Sequence, residues 1–128
     1  MAFSDEFQTC MNASGLPTPA QGMDSADEVL EFLDRLHQAW EDAGGETELA
    51  LGTLVTAGAV TGIDEEIIGG AAAVLVSAYI GACIGCLIGA AGSSVWDALA
   101  SVEPDERVRA QVVAAAETQG ISPPEGVA

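Results

Sequence analysis

The stretch that decides the reading is SAYIGACIGCLIGAAGSS, residues 77–94, with glycines at 81, 85 and 89 and no charged residue. Positions four apart share one face of a helix, so these glycines form a stripe without bulk. The same four-residue ladder carries small residues on both sides: Gly69, Ala73, Ser77 and Ser93. Glycine costs a water-exposed helix about 1 kcal/mol relative to alanine, so such a stripe needs an offsetting gain from close packing or from a bilayer.

Working outward, residues 67–96 are thirty consecutive uncharged residues. As one helix they would reach about 45 Å, more than the roughly 30 Å hydrocarbon core of a membrane. Upstream, LALGTLVTAGAVTGI (49–63) is a second uncharged run and reads as helical, although at about 22 Å it is short for a full span. Asp64, Glu65 and Glu66 separate the two runs. That pattern is an apolar helical hairpin with an acidic tip. Asp64 suits an N-cap and the two glutamates suit the positive end of a helix dipole. Carrying the three through a bilayer as carboxylates would cost about 2.5–3.5 kcal/mol each, a barrier that protonation or a membrane potential would lower.

The rest of the chain is a different material. It has 128 residues, 20 acids, 3 arginines, no lysine and a net charge of -17. Eleven acids lie in residues 1–48, three in 64–66 and six from Asp97 onward. A chain this acidic is repelled by nucleic acid, whose binding depends on basic side chains. Residues 1–23, with Gly15, Pro17, Pro19 and Gly22, read as an irregular lead-in. Residues 25–43 read as an amphipathic helix: Ser25 and Glu28 make a capping box, and Val29, Leu33, Leu36, His37 and Trp40 form its apolar stripe. A second, weaker amphipathic helix is expected over 104–119, with Pro104 in its first turn, followed by a tail at 120–128. The expected architecture is therefore one all-α domain, an apolar hairpin at 49–96 flanked by two amphipathic helices.

Acidic flanks, no signal-like N-terminus, and the hairpin LALGTLVTAGAVTGIDEEIIGGAAAVLVSAYIGACIGCLIGAAG together resemble small pore-forming bacterial toxins. More narrowly, they resemble glycine-zipper effectors delivered by type VI secretion, and the hairpin is similar to the hydrophobic hairpin of colicin-like pore domains. The resemblance covers residues 49–96 and implies oligomerisation in a target membrane, ion leakage, a secretion-system carrier and a protecting immunity protein. The chain departs from the colicin pattern in lacking many sheathing helices. Under this reading Gly69, Ala73, Ser77, Gly81, Gly85, Gly89 and Ser93 pack helices. Asp64, Glu65 and Glu66 are the tip that must cross. The chain would be made in the cytoplasm without a signal peptide and act in the membrane of another cell.

Other features suggest no chemistry. Cys83 and Cys86 spell C-x-x-C inside an apolar run, where small apolar packing is the expected role, and the three cysteines are too few for a disulfide framework. His37 sits on an apolar face as a packed histidine rather than a base or a ligand. Ser93 and Ser94 have no activating partner in sequence. Trp96 suits either a membrane interface or the core end of a helix, and Tyr79 either a pore or a helix contact. No enzyme, metal or cofactor is expected. The competing class is a soluble α-helical interaction protein whose small-residue helix forms an oligomer core; a constitutive membrane protein is disfavoured by the near absence of orienting Arg and Lys.

Overall fold

Ser25 starts the best-defined helix: its hydroxyl accepts from the Glu28 N–H at 3.3 Å, as the capping box requires. In the computed structural model, which describes residues 3–16, 25–46, 48–56 and 74–121, the chain is all-α. The helices are α1 (Phe3–Ala13), α2 (Ala26–Asp42), α3 (Leu51–Thr56), α4 (Val76–Ala91), α5 (Val95–Val102) and α6 (Glu106–Thr118), with a 3-10 turn at Gly92–Ser94 joining α4 to α5. Helix α2 buries Val29, Leu30, Phe32, Leu33, Leu36 and His37 on one side. It ends where Gly44 and Gly45 take positive φ of 112° and 66°, a conformation that only glycine adopts without strain.

Helix α4 is the centre of the bundle. It packs against α1, α2 and α6, while α2 also covers α5. Its buried side chains are Val76, Tyr79, Ile80, Cys83, Ile84, Cys86, Leu87 and Ile88. Helix α6 contributes Val108, Val112 and Ala116, a narrow stripe of small apolar residues. Its start is tied to α2 by the Asp105 N–H, which donates to Asp34 Oδ1 at 3.0 Å, and by an ion pair between Arg107 and Glu41.

Helix α1 corrects the expected irregular lead-in. Phe3, Phe7 and Met11 recur every four residues, and Phe7 and Met11 are fully buried. Burying two such side chains is worth about 3–6 kcal/mol, which the packing surface of α4 supplies. The N-terminal helix thus serves as a third sheath for the apolar core, where the sequence reading had only two. The last helix is also shorter at its start than expected. Asp105 is the N-cap, accepting from the Arg107 N–H at 2.9 Å, and Pro104 precedes the helix instead of opening it.

The long apolar run is not one rod. Leu75 is extended (φ −69°, ψ 143°) and precedes α4 without a side-chain cap. Here the chain pairs with the start of the other apolar run: the Leu51 N–H donates to Val74 O at 2.7 Å, and the Val76 N–H donates to Leu49 O at 2.9 Å. This antiparallel clasp, centred on Ala50 and Leu75, brings the two arms together at residues 49–51 and 74–76. A second break comes at Gly92, whose φ of 58° and ψ of −139° end α4. The acidic tip (Asp64, Glu65, Glu66) and the ladder positions Gly69 and Ala73 lie outside the described residues.

Candidate functional site

The small-residue ladder follows from the α4 geometry. Ser77, Gly81, Gly85 and Gly89 fall on one face, and Ser77, Gly81 and Gly89 are exposed while Gly85 is half-covered. A methyl group placed at 81, 85 or 89 would meet nothing within 4 Å. Among the described residues, the glycines therefore do not serve close packing. Large side chains turn inward against α1, α2 and α6, and the missing bulk points out. The Gln119 side chain, at the end of α6, reaches this face: its amide donates to Gly85 O at 3.5 Å.

Ser93 leaves the ladder. The register of four is a property of an unbroken helix, and the turn at Gly92 resets it, so Ser93 lies exposed in the 3-10 segment. Among the described residues the ladder is thus Ser77, Gly81, Gly85 and Gly89, with Ala78 exposed beside it.

The combined stretch Val76–Val102 is long and apolar enough to cross a bilayer, with a mean hydropathy of 1.6. It is also the core of the bundle, and length and composition fit both descriptions. Trp96, six residues from its C-terminal end, is 2% exposed, so in this state it is a core tryptophan. Its Nε1–H is buried without an acceptor. Leaving such a donor unmet costs about 1–3 kcal/mol. The other tryptophan is satisfied: Trp40 Nε1–H donates to Glu46 O at 2.8 Å.

The cysteines depart most from the sequence expectation. Cys10 and Cys86 form a disulfide with a Cα–Cα distance of 5.6 Å across a sequence separation of 76. Helix α1 packs beside α4 and brings Cys10 over Cys86, so the pairing is tertiary and leaves no local spacing signature. A loop of this size carries about 4 kcal/mol of stabilisation in the chain-entropy account. Cys83 remains a free thiol, buried one turn earlier and hydrogen-bonded with Tyr79. An open cleft of about 420 Å³ adjoins the disulfide, lined by Glu6, Thr9, Cys10, Ala13, Cys86, Gly89 and Ala90. It exists because Ala13, Gly89 and Ala90 are too small to fill the gap between α1 and α4.

His37 is buried as a packed residue, with its ring edge-on to Trp40 at 5.6 Å and Nε2 3.9 Å from Glu41. Among the described residues no three His, Cys, Asp or Glu side chains converge as a metal site would require. The chain matches no protein-family model, no curated protein and no solved structure.

Proposed function

We propose that this protein is a membrane-permeabilising effector that inserts its apolar segment and associates through the Ser77, Gly81, Gly85 and Gly89 face of α4. One observation carries the reading: an uncharged helix keeps Gly81, Gly85 and Gly89 on a side where, among the described residues, an added Cβ would meet nothing within 4 Å. In water alone that arrangement is unfavourable, since alanine at each position would fit and give a better helix. In a bilayer it is the arrangement that lets two helix backbones approach. The buried, unmet N–H of Trp96 supports the same reading, because an indole at a membrane interface finds an acceptor. The disulfide fits a protein that passes through an oxidising compartment after synthesis. A secretion carrier and an immunity protein belong to this proposal as partners, and no catalysis does.

The test is release of ions and of larger dyes from liposomes, at pH 7.5 and pH 5, with and without an imposed potential. Ion release without dye release is the expected result. Release should be faster at pH 5, because protonating Asp64, Glu65 and Glu66 lowers the cost of moving them across. Replacing Gly81, Gly85 and Gly89 together with leucine should abolish release while the helical content stays intact, because a Cβ at each position meets nothing within 4 Å among the described residues. Undiminished release from that triple variant would sink the assigned role of the glycines.

A second reading shares the same face. A soluble homo-oligomer could bury it against copies of itself, and the packing of α4 as a core helix favours a chain that folds without lipid. It predicts a fixed stoichiometric assembly in water and no release from any liposome.

A further inference from the structure

We infer that the Cys10–Cys86 disulfide is a reducible clasp that holds α1 against the apolar helix, so that thiol–disulfide exchange frees α1 and uncovers α4. Three observations converge. First, the bond is the covalent tie between α1 and α4. Second, α1 packs mainly on the single helix α4 and buries only Phe7 and Met11, whereas α2 buries six residues and packs on α4, α5 and α6. Losing the tether therefore releases α1 before the rest of the bundle. Third, both cysteines line an open cleft together with Glu6, Thr9 and Gly89, which is the side from which a thiol reagent approaches the bond.

The co-reactant is a dithiol. Its thiolate attacks Sγ of Cys10, the less buried residue of the pair, forming a mixed disulfide and expelling Cys86 as a thiolate that takes up a proton. The second thiolate of the reagent then attacks its own sulfur in the mixed disulfide. Cys10 leaves as a thiol, and the reagent departs as a cyclic disulfide. The protein gains two electrons and two protons. Cys83 stays outside this sequence, since it is buried on the core side with Tyr79. The consequence for membrane insertion rests on the permeabilisation reading above; the clasp itself does not.

The experiment uses the full chain, oxidised and after treatment with dithiothreitol, and reads two quantities. Backbone amide exchange in residues 3–13 should accelerate by about tenfold or more on reduction, while α2 and α6 keep their protection. Liposome release should rise by about tenfold over the same change. Cys10→Ser should behave as permanently reduced and ignore dithiothreitol, and Cys83→Ser should respond as the parent does. Unchanged exchange in α1 overturns the clasp whatever the liposomes show, and so does loss of protection throughout the bundle. Faster exchange in α1 with equal release in both states overturns the gating. Faster exchange with no release in either state upholds the clasp and removes the permeabilisation reading.

Discussion

The two sides of α4 are built to opposite rules. Inward, Tyr79, Ile80, Cys83, Ile84, Leu87 and Ile88 are at most 2% exposed and fill the space between three helices. Outward, Ser77 is exposed, and Gly81, Gly85 and Gly89 offer no side chain, with nothing among the described residues within 4 Å of where a Cβ would stand. A soluble core helix needs the first side only. The second costs helix stability and, among the described residues, meets no compensating contact at the missing Cβ positions. Among the described residues, then, Gly81, Gly85 and Gly89 take no part in packing the interior of the bundle.

Substitutions on the two sides should therefore move stability in opposite directions. Leu87→Ala removes a fully buried side chain from the inward face and should lower the unfolding free energy by about 2–5 kcal/mol in urea titration. A smaller loss would mean that the core around α4 collapses readily, and the contrast between faces would weaken. Removing the tether with Cys10→Ser should cost about 2–4 kcal/mol, measured against the oxidised parent. On the outward face, Gly81→Ala should raise stability by about 1 kcal/mol. A loss there would show that the face is already occupied in solution, favouring the soluble oligomer. The smallest change is Glu41→Gln, which removes the partner of a largely exposed Arg107 and should cost less than about 1 kcal/mol.

How much of this was legible in the sequence differs by element. Helix α2 was, because a capping box, a continuous apolar stripe and a Gly-Gly stop all agree within one segment. The all-α class was too, since no run alternates with a period of two. Helix α1 was not: Phe3, Phe7 and Met11 give one apolar residue per turn, a signal easily outweighed by the Gly and Pro residues that follow. The Cys10–Cys86 bond depends on where α1 docks, so no spacing of cysteines could announce it. The break at Leu75 was hidden for a related reason, being imposed by pairing with residues 49–51 far back in the chain. For the glycine ladder, periodicity shows that Gly81, Gly85 and Gly89 share a face. It does not say whether that face turns inward, because glycine is neither apolar enough to demand burial nor polar enough to demand water.

The disulfide also changes the chain's topology. Between Cys10 and Cys86 the oxidised molecule is a closed ring, from which the first nine residues and the segment beginning at Leu87 hang as two tails. A single backbone cut within the ring leaves one covalent molecule, and its two pieces separate only under reduction. Pulled from its ends, the oxidised chain lengthens only by its tails. It cannot be threaded as a single strand through a narrow conduit, whereas the reduced chain can. Any route that moves this protein unfolded must therefore carry it before the ring closes or after it opens.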